Sequence, residues 1–266
     1  MTLEVCGIRF SYGGREVLKG VDMDVPEGVT ALLGPNGAGK STLVKCLAGV
    51  YRPSGGTAVF NGGDLLGRME NRPNMAYLAQ DIPRMSESNV LEVMLLGRVG
   101  SLGLRVAEED IDAAYGALET MGISELAERD VSELSGGQMQ MVMIAQCLVS
   151  DPDLLILDEP MNNLDLRREL EMFEAVTDIA KEKGLTSLMV LHDVNFAARF
   201  ADSICVLKDG RVHSSGNPAD VVTEEMLRDV YGVEANLGRD SFGNPQVEAV
   251  RSIYGRCGRT GEGKTQ

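Results

Sequence analysis

The chain has 266 residues, 44% hydrophobic and 24% charged, the balance of an ordinary globular protein with room for a substantial core. Its formal net charge of −15 excludes wrapping nucleic acid, which takes clustered Lys and Arg, and argues against adhesion to anionic lipid. No apolar run approaches the ~18–20 residues that span a bilayer, and the N-terminus lacks a signal-peptide profile, so a cytosolic chain that does not cross a membrane unaided is expected. Cys6, Cys46, Cys147, Cys205 and Cys257 are scattered without a C-x-x-C pair. The first four lie in apolar stretches and read as reduced core thiols.

Leu3–Phe10 alternates roughly polar and apolar, which predicts a strand; Ser11-Tyr12-Gly13-Gly14 turns it, and Val17–Val25 reads as a second strand closing at Pro26. Tyr12, an aromatic upstream of a glycine-rich loop, stacks on a nucleotide base or is a plain turn or core tyrosine. The apolar run Val29–Leu33 then leads into Gly34-Pro35-Asn36-Gly37-Ala38-Gly39-Lys40-Ser41-Thr42, followed by the helix-compatible Leu43–Ala48. This fits the phosphate-loop pattern G-x-x-x-x-G-K-S/T in its strand–turn–helix setting. Gly34, Gly37 and Gly39 let the backbone curl so that N–H groups, among them that of Asn36, point inward at phosphate oxygens. The helix start adds its bare N–H groups, Thr42 among them, and the positive end of its dipole. Lys40 would reach the β- and γ-phosphates and the Ser41 hydroxyl would ligate Mg²⁺. The reading is a nucleoside triphosphate site. A second match, Gly258–Thr265, has no strand before it and ends one residue before the C-terminus, so it reads as a polar tail.

Thr57–Phe60 and Met75–Ala79 are short strand-like runs, the second ending in Gln80-Asp81. From Val90 to about Glu128 the pattern is helical, with loop signals at Gly97, Gly100 and Gly103 and a core stripe of Ile111, Ala114, Leu118 and Met121. Leu134-Ser135-Gly136-Gly137-Gln138 opens a helix to about Val149. A hydroxyl and bare N–H groups at that helix start make a second anion half-site, which suggests a nucleotide sandwiched between two copies. Leu154–Leu157 is fully apolar, as in a buried parallel strand, and ends in Asp158-Glu159-Pro160. Asp158 there can hold Mg²⁺ and Glu159 can polarise an attacking water, though two carboxylates at a strand end can also be loop charges. Leu166, Leu170, Phe173, Val176 and Ile179 mark an amphipathic helix stopping at Gly184. Thr186–Leu191 is another buried strand, ending in His192, which by itself is structural or chemical. Asp209-Gly210 signals a hairpin, with His213 in it as an ordinary surface residue. Beyond about Leu237 the Gly, Arg and Ser content rises, and the last dozen residues read as disordered. Strands alternating with helices imply a parallel α/β sheet.

Taken jointly, these motifs resemble the nucleotide-binding subunits of ATP-binding-cassette (ABC) transporters over about residues 3–235. Leu134–Gln138 reads LSGGQ, that family's signature, between the phosphate loop and Leu154–Glu159. The resemblance implies a P-loop NTPase (RecA-like) α/β core in residues 1–237, with an N-terminal antiparallel β subdomain, a helical subdomain at about 82–150, and an extension at 238–266. It makes Tyr12 the adenine-stacking aromatic and Gln80 a loop glutamine that contacts Mg²⁺ and senses the membrane partner. Asp158 becomes the Mg²⁺ carboxylate, Glu159 the catalytic base and His192 the switch facing the γ-phosphate. Asn163-Leu164-Asp165 resembles the loop that crosses the dimer interface. ATP and Mg²⁺ are the implied ligands. Two copies would close head to tail, Lys40 and Glu159 of one facing Ser135, Gly136, Gly137 and Gln138 of the other. The assembly would sit on the cytoplasmic face of the membrane beneath permease subunits served by an extracytoplasmic binding protein.

Val190–Asp202, Leu207-Lys208-Asp209-Gly210, Val230-Tyr231-Gly232-Val233 and Leu96-Gly97-Arg98 are more narrowly similar to ATPases that energise import of iron–siderophore, haem and cobalamin. The ATPase of another ABC transporter, or a soluble ABC ATPase in repair or translation, are the alternatives. Met139 and Met141 stand where the family usually has Arg at one or both positions, Gln146 replaces a common Arg, and Met161 replaces a usual Thr. These departures leave the usual interface and helix contacts open.

Overall fold

The computed structural model describes residues 1–67, 72–81, 88–99 and 106–254. Gly100, Gly103, Cys257, the expected disordered tail and the second loop match at Gly258–Thr265 lie outside the described residues.

Two sheets share one nucleotide-loop helix. β1 (Thr2–Tyr12), β2 (Arg15–Pro26), β4 (Gly55–Phe60) and β5 (Gly63–Asp64) form an antiparallel sheet in the order β2-β1-β4-β5. The core sheet holds β3 (Gly28–Leu33), β6 (Met75–Leu78), β7 (Leu154–Asp158), β8 (Thr186–Val190), β9 (Ser203–Lys208) and β10 (Arg211–Gly216) in the order β10-β9-β3-β8-β7-β6. Its neighbours run parallel except for β10, which pairs antiparallel with β9 through the expected Asp209-Gly210 turn. Both residues of that turn have positive φ, 50° and 78°, the geometry a two-residue hairpin needs.

The core strands read as continuous apolar runs because both of their faces are covered. Val29, Ala31, Leu33, Leu155, Leu157 and Met189 pack on one side, against helices α2 (Val90–Leu96), α3 (Glu108–Thr120), α4 (Gly136–Leu148), α5 (Leu166–Lys183) and α6 (Val194–Phe200). Leu32, Leu154, Ile156, Leu188, Val190, Cys205 and Leu207 pack on the other, against α1 (Lys40–Leu47) and the antiparallel sheet. The period of two along each strand divides the two cores. α5 ends at Gly184 with φ 67°, the left-handed stop its glycine signals.

Two expectations need correction. Ile111 is 36% exposed, because α3 turns Ala114, Leu118 and Met121 inward and leaves Ile111 on its outer flank. Cys6 is exposed, since the alternation of β1 sends Leu3 and Val5 into the core and Cys6 outward; Cys46, Cys147 and Cys205 are buried. The stretch richer in Gly, Arg and Ser beyond Leu237 is folded as far as the described residues reach. β11 (Val233–Arg239) and β12 (Pro245–Ser252) pair as an antiparallel hairpin, reached through α7 (Pro218–Val221), α8 (Glu224–Met226) and a short helical turn, Leu227–Tyr231. A boundary at 237 would fall inside β11. The hairpin's residues are mostly exposed on both faces, so they carry little apolar alternation to read.

The Met and Gln substitutions near the signature are absorbed by the fold. Met141 is fully buried, and Met139 and Met161 pack against the helical-side core. Gln146 donates to the Val93 carbonyl at 2.6 Å, tying α4 to α2 without a charge.

Candidate functional site

At the end of β3 the chain must leave the sheet abruptly. Gly34 has φ 143°, and a Cβ there would stand 2.1 Å from the Leu207 carbonyl oxygen, so only glycine passes. The loop that follows delivers Lys40 to the first turn of α1. Lys40 is 5% exposed, and its Nζ folds back to donate to the carbonyls of Gly34 at 2.6 Å and Pro35 at 3.3 Å. Burial lowers its pKa from the ordinary 10.5, while the charges of Glu159 and Asp158 pull it back up. These carbonyl bonds hold the ammonium against the start of its own loop.

Asp158 closes β7 and is fully buried. Its Oδ1 accepts from the Ser41 hydroxyl at 3.0 Å, joining the loop to the strand end, while its Oδ2 has no hydrogen-bond partner. Burial raises its pKa above 3.8, Ser41 opposes this, Glu159 adds to it, and Lys45 and Lys40 offset part of it.

Glu159 turns the chain with φ 54°, an uncommon value for a non-glycine residue. That turn aims its carboxylate at three donors: His192 Nε2 lies 2.6 Å from Oε1, and Gln80 Nε2 and Asn162 Nδ2 lie 2.7 Å and 3.2 Å from Oε2. Burial works against the charge, but the hydrogen bonds from His192 and Asn162, with the His192 and Lys40 charges, hold the carboxyl below 4.5. Glu159 is therefore ionised at neutral pH.

Tyr12, Arg15 and Val17 on one wall and Glu159 and His192 on the other enclose an open cleft of about 410 Å³. Asn36, Gly37, Gly39, Lys40, Ser41 and Thr42 form its floor. Tyr12 is 47% exposed, its hydroxyl 3.4 Å from Thr42 Oγ1 and its ring edge-on to Phe10 and Tyr51, so it is neither a core tyrosine nor a free turn residue. Cleft and strand ends thus gather the loop residues, Tyr12, Asp158, Glu159, His192 and Gln80.

The signature stands apart. Ser135 caps α4, its Oγ accepting from Gln138 N–H at 3.2 Å while Gln138 Oε1 accepts from Ser135 N–H at 3.0 Å. Gly136 and Gly137 lie under Asn163, and a Cβ on Gly137 would come within 2.8 Å of the Asn163 carbonyl oxygen. None of Ser135, Gly136, Gly137 and Gln138 lines the cleft. Two residues outside the sequence-level assignment join the picture. Asn162 bonds Glu159, and Gln140, 2% exposed, donates to the Pro160 carbonyl at 3.1 Å. Asn162 lies three residues after Glu159 at a turn, a spacing that offered a signal; nothing in the sequence marks the Gln140 bond.

The fold and cleft define an ATP-binding, phosphate-loop ATPase of the cassette type. The sequence profile of the ABC transporter family matches residues 18–162, more than half the chain, and the chain belongs to that family. It is the ATP-binding subunit of an ABC transporter, a subunit whose ATPase activity is coupled to transport. The iron(3+)-hydroxamate import ATP-binding protein FhuC of Bacillus subtilis is 37% identical over 93% of this chain and 93% of its own. Relatives named for ferric enterobactin transport, 32% identical, and for hemin import and phosphonates import, both 36% identical, match about nine tenths of the chain, and one named for cobalamin import, 32% identical, is covered over 61% of its own length. Among solved structures, a chain of an ABC transporter in an inward-facing conformation superposes with TM-score 0.81 over 94% of this chain and 98% of that one, at 24% identity, a likeness of fold. A dimeric ATP-binding cassette in a post-hydrolysis state with ADP and phosphate gives TM-score 0.72 at 25% identity, over 81% of this chain and 98% of that one.

Proposed function

We propose that this chain works as a head-to-tail homodimer that closes on two ATP molecules and so drives a membrane permease to import an iron–siderophore, haem or cobalamin-type substrate. The carrying observation is the division of the site. Lys40, Ser41, Asp158, Glu159 and His192 converge on one cleft, while the anion-binding start of α4 is displayed elsewhere on the same chain. A second copy supplies the missing half.

In this reading Lys40 leaves the Gly34 and Pro35 carbonyls for the β- and γ-phosphates, and Tyr12 stacks on adenine. The oxygens of Ser41 and Asp158, one of them unpartnered, suit a hard cation, and Gln80 would join them by turning its amide oxygen inward. Mg²⁺ takes few protein ligands beside substrate phosphates, so a hydroxyl, a carboxylate and an amide oxygen would suffice to hold it. Held by Ser41, Asp158 and Gln80, Mg²⁺ would supply positive charge to offset that of the phosphates. Glu159 orients and polarises the attacking water; a carboxylate held this acidic acts mainly by position, and His192 fixes it while facing the γ-phosphate. Ser135, Gly136, Gly137 and Gln138 of the second copy meet that phosphate with a hydroxyl and backbone N–H groups.

Among the described residues no helix is long and apolar enough to cross a membrane. In this reading the chain docks on its permease peripherally, at the cytoplasmic face. The permease would work with an extracytoplasmic binding protein. The 36% identical relative named for phosphonates import favours a second reading, an importer of another substrate. The decisive experiment has two parts. Glu159→Gln with ATP should run as a dimer by light scattering and the same protein with ADP as a monomer; a protein monomeric in both sinks the sandwich. Co-purification from native membranes followed by reconstitution should give uptake of a ferric or corrinoid chelate; uptake of a phosphonate instead selects the second reading.

A further inference from the structure

The core sheet is followed by a segment, Leu227–Ser252, that bonds to the start of the phosphate loop at one place and to the helix after His192 at another. The first is Gly34. Its N–H is the first backbone donor past the end of β3, and it donates to the hydroxyl oxygen of Tyr231 at 3.1 Å, a contact across 197 positions of sequence. The Tyr231 phenol is pushed up to about 12 by burial, so it stays neutral there. The second is α6, the helix that begins just after His192. The Asn195 side chain pairs with the backbone of Val247 in β12 at both ends, accepting from its N–H at 2.7 Å and donating to its carbonyl at 3.2 Å. Asp193 caps the same helix by accepting from Asn195 and Phe196 N–H.

The segment is itself fastened. Lys208 Nζ donates to the Asp229 carbonyl at 2.8 Å, and Ile253 N–H donates to the Gly232 carbonyl at 2.9 Å, closing the hairpin at its root beside Tyr231. One continuous unit therefore holds the first peptide of the phosphate loop and the helix behind the switch histidine.

We infer that Tyr231 is a positioning residue of the ATP site, its hydroxyl fixing the Gly34 peptide in the orientation the nucleotide requires, with the β11–β12 hairpin keeping it in place. The physical argument turns on where the cost of losing the hydroxyl appears. A buried N–H without a partner is unfavourable, so in its absence the glycine-flanked loop relaxes, and glycine has the conformational freedom to do so. Relaxation restores stability to the empty protein, and bound nucleotide must then reverse it. The loss is carried by affinity. A purely structural role gives the opposite distribution, a lower Tm with affinity intact.

The inference rests on the ATP site described above, and wild-type ADP binding checks that site independently. The experiment is calorimetric titration of full-length Tyr231→Phe with ADP, beside its thermal melt. The ring stays packed and only the hydroxyl is lost. A Kd about tenfold weaker, equivalent to about 1.4 kcal/mol, with Tm little changed is the expected result. A Kd within twofold of wild type overturns the inference whatever the Tm. Lys208→Met, a change at a half-buried strand end that releases the segment's tether and leaves Tyr231 itself unaltered, keeps the test open should the first variant fold poorly. A two- to threefold weaker Kd supports the inference, and an unchanged Kd overturns it.

Discussion

The two anion-binding ends of this chain, the phosphate loop before α1 and the signature before α4, begin from the same physics of bare N–H groups at a helix start, and the fold treats them in opposite ways. Around the first it buries charge: Lys40, Asp158 and Glu159 lie close together, with Asp158 and Glu159 shifted in opposite directions from their ordinary pKa values. The cap of the second uses no ionisable side chain. Ser135 and Gln138 satisfy one another in a closed capping box, and the glycines beside them make room for the Asn163 loop. In the proposed reading the first end does the chemistry and holds its groups at unfavourable charge. The second would recognise phosphate geometry from a helix start that is already capped.

The sharpest way to break this comparison is Glu159→Gln. The amide keeps the shape but turns an NH₂ toward donors from His192, Gln80 and Asn162. Steady-state turnover should fall about 10²–10⁴-fold, the range for losing a positioned acid–base group, with ATP affinity retained. A rate within threefold of wild type would remove Glu159 from the chemistry. Asp158→Asn comes next and separates function from stability. Activity with Mg²⁺ should drop about 100-fold, whereas the Tm of the empty protein should rise, because a desolvated carboxylate with an unpartnered oxygen becomes neutral. The two carboxylates also have opposite pH signs. Glu159, held below 4.5, contributes stability that is present above 4.5 and lost as pH falls through its lower folded value. Asp158, raised above 3.8, gains its proton earlier in acidification, so the empty protein is relieved there just as the metal site is lost. A fall in Mg²⁺-dependent nucleotide affinity that begins above the pH of ordinary aspartate titration, measured by titration calorimetry, is the expected readout.

Much of this was legible in the sequence, for identifiable reasons. Strands buried on both faces, the strand–loop–helix setting of Gly34–Thr42 and the helix start at Ser135–Gln138 are local patterns, and the site residues that the motifs marked on the cleft side converge. What escaped is non-local or unpatterned. The Tyr231 bond to Gly34 joins residues 197 apart, and Gln140 looks like any helix residue beside the signature. The C-terminal hairpin, with Leu237 and Val250 exposed, has too little apolar alternation to announce itself. Cys6 was misplaced for a simpler reason: an apolar-looking strand says nothing of which parity faces the core until its partner is known.

Ser135→Ala tests the recognising half alone. Removing the cap should cost about 1 kcal/mol of stability, seen as a Tm lower by about 2–4 °C. ADP affinity of the single chain should not move, because Ser135 is remote from the cleft, while turnover at high protein concentration should fall about tenfold as the shared site loses a hydroxyl. An altered ADP Kd would show that the halves are not separate within one chain.

The smallest expected effect comes from the strut between the halves. Gln140 is 2% exposed, belongs to α4, and donates to the carbonyl of Pro160, the residue that follows Glu159. It is a physical connection between the recognising helix and the turn that carries the ionised carboxylate. Gln140→Leu preserves most of the volume and leaves the Pro160 carbonyl unpaired, a loss of about 1–3 kcal/mol for a buried acceptor. Equilibrium denaturation should register that loss. ADP binding should be unchanged, since Pro160 does not line the cleft. Turnover should fall only about two- to fivefold, through looser placement of Glu159 against the neighbouring copy. If stability falls with turnover untouched, the strut only holds the fold together, and the two halves reach their working alignment through the bound nucleotide alone.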